Sequence, residues 1–250
     1  MSGQGHKFFW AWENAFTPEN LALSLYNEAG DYSVAGGAGN WPGRASAGLS
    51  LNRNMASAIG EAPTVSSDLA PTFDLVASKL VSSPTIGWSS LITANEGSII
   101  VCANITDLSA ASNDPTYYVN APLLGTTSFG AFFGIYLRYI SATEFRIQCG
   151  ANLITLSDGI NRLFGNTKFM VAMRWSTVLG VTTLESSINN GAWITDVTTP
   201  LNLVGVGPQQ NLNLGRRFAG TVRLNACMQT KITDDELDLL YAYAQANALA

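Results

Sequence analysis

The side chains with chemistry to offer are few and scattered. The chain has a single histidine, His6, close to its start. One imidazole leaves most Ser–His and Cys–His triads without a base, and any multi-histidine metal site without ligands. The 18 carboxylates gather densely only at Asp234, Asp235, Glu236 and Asp238. The pattern around them reads as the start of a helix, where the dipole favours negative charge. The Gly-rich run AGGAGN at 35–40 lacks the lysine and the flanking strand and helix of a phosphate-binding loop. These residues point away from an enzyme.

Two kinds of binding chemistry remain open. In TDLSAASND, Asp107 and Asp114 offer two oxygen ligands toward Ca2+, which takes about six or more; the alternative is a pair of solvated carboxylates on a loop. Trp41, Trp88, Trp193, Tyr117 and Tyr118 fall near expected turns, where rings beside Asn, Asp and backbone donors can contact a glycan or a protein partner. For Trp193 the competing expectation is half-buried packing against a facing strand. Apart from these stands KFFWAWENAF, which brings Phe8, Phe9, Trp10, Trp12 and Phe16 into one short segment. Such an arm either covers the end of its own domain or docks on another subunit, because termini lie at surfaces and aromatics are enriched at interface cores.

The elements that must position these residues are read from composition and periodicity. At 250 residues, 47% apolar and 12% charged, the chain can bury a large core without a salt-bridged surface. Its polar remainder, rich in Ser, Thr and Asn, suits β-strands. A net charge of −5 with 13 dispersed Lys and Arg argues against a nucleic-acid partner, which needs a clustered basic footprint. No run approaches the roughly 20 apolar residues of a membrane-spanning helix. MSGQGHKFFWAWENAF lacks the apolar stretch of an export signal, so synthesis in a cytoplasm without general secretion is expected. Cys102, Cys149 and Cys227 sit inside strand-like runs and are expected to behave as small buried hydrophobes.

Strands are expected at about 98–105, and in FFGIYLRYI, EFRIQCG, KFMVAMRWS and LNLGRRFAGTVRLNACMQT. In FFGIYLRYI, Ile135, Leu137 and Tyr139 share one face, and Tyr136 and Arg138 the other. Val222, Leu224, Ala226 and Met228 are expected on a common apolar face. Residues 35–70 read as loop and irregular β. SSINNGAWITD reads as a hairpin turning at Asn190-Gly191, since a type I′ turn needs positive φ at both central residues. One helix is expected, at about 233–248. Thr233 and Glu236 form its capping box, and Leu237, Leu240, Tyr241, Ala244 and Ala248 make one apolar stripe to lie across a sandwich.

In this order the segments resemble the laminin G-like branch of the concanavalin A-like jelly rolls. Arg174-Trp175, Asn190-Gly191, Leu214-Gly215-Arg216, Phe218, Gly220 and Thr233 to Glu236 take the places of that family's motifs. Upstream, PENLALSLYNEAGD, NWPGRASAG and PTFDLVASKL are similar to the lead-in of bacterial and phage versions, although Phe73-Asp74-Leu75 lacks the usual Gly. The resemblance spans residues 18 to 246. A hydrolase of this fold would resemble the retaining β-glucanases, with Glu-x-Asp-x-Glu on one strand face; no strand carries that pattern.

The expected fold is all-β, a concanavalin A-like sandwich of two antiparallel sheets (18–250) with a short C-terminal helix, preceded by the aromatic arm (1–17). The resemblance implies a non-enzymatic virion subunit of a tailed bacteriophage: capsid decoration, head fibre or tail accessory. It would be made in the host cytoplasm, oligomeric or lattice-bound, and anchored on capsid or tail subunits through the arm. The alternative is a lectin-like module recognising host-surface carbohydrate. No cofactor is expected beyond the weak Ca2+ candidate.

Overall fold

The computed structural model describes residues 18, 21, 23–45, 48–74, 78–82, 93, 95–107, 120–125, 134–141, 144–149, 154–156, 168–198, 213–215 and 219–249. Numbered in chain order, the strands form two antiparallel sheets. The first holds β1 (Leu23–Glu28), β5 (Thr64–Val65), β6 (Pro71–Asp74), β8 (Glu96–Asp107), β13 (Lys168–Val178), β14 (Val181–Ile188), β15 (Ile194–Thr198) and β17 (Ala219–Met228). Its spatial order is β15-β14-β13-β8-β17-β6-β5, with β1 also on β17. The second holds β2 (Ser33–Ala35), β3 (Ala38–Ala45), β4 (Gly48–Ala56), β7 (Leu80–Ser82), β9 (Asn120–Gly125), β10 (Gly134–Ser141), β11 (Glu144–Cys149), β12 (Ile154–Leu156) and β16 (Asn213–Leu214). Its order is β12-β11-β10-β9-β16-β7-β4-β3-β2.

Antiparallel sheets usually keep one face wet and so alternate apolar with polar. β8, β13 and β17 do not, because both of their faces are covered. Ile99, Val101, Ala103, Phe169, Val171, Met173 and Trp175 are buried on the face toward the second sheet. The intervening Ile100, Cys102, Met170, Ala172, Leu224, Ala226 and Met228 are buried on the other face, under the helix α1 (Asp234–Asn247). The continuous apolar runs IIVCA and FMVAM follow from this double cover.

The helix forms as its sequence predicts. The Thr233 hydroxyl accepts from the Glu236 N–H, and the Glu236 carboxylate accepts from the Thr233 N–H. Leu237, Leu240, Ala244 and Ala248 are buried in the cluster above the sheet, with Tyr241 partly buried beside them. Its far half is tied down by a buried carboxylate: Glu28 of β1 accepts from the Tyr26 hydroxyl at 2.6 Å, the Tyr243 hydroxyl at 2.7 Å and Arg44 of β3 at 2.6 Å. One side chain thus links the first sheet, the second sheet and the helix.

Two expectations change here. Residues 35–70 are not mostly irregular, because β3 and β4 pair along most of their length. Their Gly, Ser and Asn content hides the pattern, since the strands are held by pairing and by a few large residues such as Trp41 and Met55. Val222 also leaves the face of Leu224, Ala226 and Met228. The register slips between Val222 and Leu224, so Val222 pairs with Ala103 but Leu224 with Cys102. A bulge at Arg223 flips the alternation.

Candidate functional site

The hairpin between β14 and β15 ends beside the start of α1. Its turn lies one residue earlier than expected: Asn189 (φ 51°) and Asn190 (φ 57°) hold the two positive-φ positions, and the Gly191 N–H donates to Ile188 O at 2.9 Å. Asn tolerates the left-handed region because its short polar side chain bonds locally. Here Asn189 Oδ1 accepts the Met170 N–H at 2.8 Å, which anchors the turn to the first residues of β13. Asn190 Nδ2 donates to Asp238 at 2.7 Å, tying the same turn to the helix.

Trp193 follows this turn, and Arg174 of β13 lies over it with its guanidinium carbon 3.7 Å from the ring centroid. The same guanidinium donates to Glu185 at 3.0 Å, to Ile232 O at 3.0 Å and to Asp234 at 2.5 Å. The Trp193 indole N–H donates to Asp234 at 3.0 Å, and Lys231 pairs with Glu185. Hydrogen bonds and charge from Arg174, with the indole N–H adding to them, hold the Asp234 carboxyl below its ordinary value. At Glu185 burial pushes upward, but the hydrogen bonds and charges of Arg174 and Lys231 together outweigh it, so that carboxyl is also lowered. Trp193 is half-buried against the cluster beneath the helix. With one ring face under Arg174 and its N–H committed, it works as a packing residue that offers its remaining edge outward.

Of the other aromatic candidates, Trp41 is not available to a ligand. It is fully buried, its indole donates to Glu28 O at 2.7 Å, and Tyr32 meets it edge-on at 6.5 Å between centroids. The Gly- and Asn-rich flanks that suggested a loop belong to β3. Trp88, Tyr117, Tyr118, Asp114 and the arm residues Phe8, Phe9, Trp10, Trp12 and Phe16 lie outside the described residues. Asp107 closes β8 with its backbone paired to Ala219. Among the described residues no three His, Cys, Asp or Glu are grouped to hold a metal ion. Cys102 and Cys227 are free thiols, fully buried, and burial pushes both well up from the ordinary thiol range.

The register of β9–β12 sets distant residues opposite one another. Ile135 is fully buried, and strands of this half sheet pack on β8, β13, β14 and β15. Tyr136 pairs with Gln148 and with Pro122, and Arg138 pairs with Arg146 and with Asn120; Thr155 continues the Tyr136 row across Gln148. Sequence periodicity placed Tyr136 and Arg138 together but not Arg146 beside Arg138, because that depends on which residues face each other across the β10–β11 turn.

No protein-family model and no curated protein matches the chain. Among solved structures it is similar to the binding domain of botulinum neurotoxin serotype D, with TM-score 0.53 and 10% identity over 89% of this chain and 51% of that one. The chain thus spans about half the length of that structure. The CBM40 module of the Ruminococcus gnavus IT-sialidase, solved with α2,3-sialyllactose, gives TM-score 0.40 and 16% identity over 59% and 83% of the two chains. A Bauhinia forficata lectin solved with GalNAc gives 0.37 and 8% over 84% and 99%. The fold is a concanavalin A-like jelly roll. Within this jelly roll the Leu214-Gly215-Arg216 motif has a physical basis at its glycine. Gly215 has φ +82°, and a Cβ there would stand 2.0 Å from the Phe73 ring. The glycine lets β16 close over the aromatic of β6.

Proposed function

We propose that the chain is a non-enzymatic, lectin-like module that binds carbohydrate. The observation that carries this reading is the two-sheet jelly-roll architecture, which the chain shares with a toxin binding domain. A sugar presents hydroxyls for amide and guanidinium groups and a C–H surface for an aromatic ring, and a rigid sheet holds such groups in place. The virion-subunit reading draws its support from the sequence resemblance and the aromatic arm alone.

A glycan array followed by titration calorimetry tests it. Saturable binding to at least one glycan is expected, abolished by excess of the free sugar. An array with no binding, or binding that the free sugar does not compete, overturns the reading.

A further inference from the structure

We infer that copies of this chain associate head to tail, the β13–β14 turn of one docking on an apolar patch beside β2 and β5 of the next. Four residues other than glycine have positive φ among the described residues: Leu69 (53°), Leu179 (50°), Asn189 and Asn190. Asparagine suits that region, but a leucine side chain makes no local hydrogen bond to offset the strain. Leu179 and Gly180 (φ 78°) form the two-residue turn, a type I′ geometry that favours Asn-Gly. The Leu179 side chain is 100% exposed, with Val178 and Val181 exposed beside it, so contacts within the chain do not offset the strain either. Strain of this kind persists at functional positions.

The second strained leucine marks the other site. Leu69 is half-exposed, and its carbonyl accepts from the Gly30 and Tyr32 N–H groups, which holds it beside the lead into β2. Val34 of β2, Val65 of β5 and Ile59 complete the patch; Ile59 is 79% exposed, and its Cγ2 lies 3.4 Å from where a Cβ on Gly37 would stand. β2 and β5 end their respective sheets and pack on one another. In the first sheet β8, β17 and β6 separate the turn from β5, so the turn cannot cover the patch of its own chain. A second copy covers both sites at once. Charge agrees: the acidic residues adjoining the patch are paired within the chain, Asp31 with Arg44, Glu61 with Lys79 and Asp68 with Arg223. The turn is flanked by Thr177 and Thr182, whose hydroxyls bond each other. Two chains of net charge −5 therefore meet here without opposing bare carboxylates. An anionic lipid surface would call for unpaired Lys or Arg beside the apolar residues, and the basic residues named here are already paired.

An interface this small belongs to the weak class, with a dissociation constant of about 10–100 μM. The test is sedimentation velocity on the full chain from about 5 μM to about 500 μM, which brackets that range. Wild type is expected to grow past a dimer as concentration rises, because a contact between unlike sites leaves one of each open at the ends. Leu179→Asp, which keeps the patch, and Ile59→Asp, which keeps the turn, should each stay monomeric. Their equimolar mixture should form a dimer and stop there, since only one intact turn and one intact patch can meet. A wild type that stays monomeric or ends at a dimer, or a variant that associates as wild type does, would overturn the proposal. So would a mixture that stays monomeric, which marks a contact of like with like. Leu179→Asn should weaken association about tenfold and raise the melting temperature by about 2–4 °C as the strain is relieved. A lowered melting temperature would show that contacts within the chain hold Leu179, and would also overturn it.

Discussion

Arg174 and Trp193 are joined twice: the guanidinium lies 3.7 Å over the indole ring, and both groups donate to the same Asp234 carboxylate. This closed unit fastens the β14–β15 hairpin to the first turn of α1. A cation over an aromatic face contributes from about 0.5 to 2 kcal/mol as water is excluded, and each net hydrogen bond about 1 kcal/mol. Trp193→Ala is therefore expected to lower unfolding free energy by about 2–3 kcal/mol, and Trp193→Phe, which keeps a ring, by about 1 kcal/mol. Urea denaturation of both variants measures this. An Ala variant as stable as wild type would return Trp193 to the role of an exposed ligand contact.

The same cluster sets a pH dependence. Asp234 and Glu185 both have folded-state pKa values below the ordinary 3.8 and 4.5. A depressed carboxylate stabilises fully above its unfolded value and loses that contribution as pH falls through the folded value. Stability should hold down to about pH 4.5 and decline below it. In Arg174→Gln the part of that slope due to these two groups should shrink, with the remainder held by Lys231 on Glu185 and by the Trp193 indole on Asp234. Unfolding free energy measured from pH 6 to pH 2.5 for both proteins decides the matter, and equal slopes would mean that other carboxylates dominate.

Gly215 admits no side chain. The positive φ costs an L-residue about 1–2 kcal/mol, and the Phe73 ring occupies the place of a Cβ. Gly215→Ala is expected to destabilise by about 2–4 kcal/mol. Adding Phe73→Leu should recover part of the loss by relieving the contact but not the φ strain. A double-mutant cycle by thermal denaturation reads the coupling; additive losses would show that the contact is not the cause.

Cys102 and Cys227 should be inert in the native state. Each is fully buried, and burial disfavours the thiolate that reacts. Iodoacetamide labelling with peptide mass mapping is expected to leave both unmodified in buffer and to modify both in 6 M urea. Native labelling at either site would indicate local opening of β8 or β17.

The C-terminal helix was legible in the sequence almost residue for residue, because a capping box and a 3.6-residue apolar stripe are local signals. So were the long strands β8, β13 and β17, whose apolar runs exceed what any loop would carry. β3 and β4 were not, since a Gly- and Ser-rich strand is stabilised mainly by its neighbours and shows little pattern of its own. Trp41 was misplaced for the same reason: nothing near it in sequence reveals that Glu28 O and Tyr32 enclose it.

What the sequence alone determined is the set of elements and the class of fold, because periodicity, caps and turn residues act over a few positions. What only the tertiary structure decided is which residues meet. The bulge at Arg223 changed the face of Val222, and the turn moved from Asn190-Gly191 to Asn189-Asn190 because Met170 anchors Asn189. Arg174 reached across 60 positions to Asp234, and the β10–β11 register set Arg138 against Arg146. Contacts of this kind depend on strand register and on packing between distant segments, and neither is carried by any short stretch of chain.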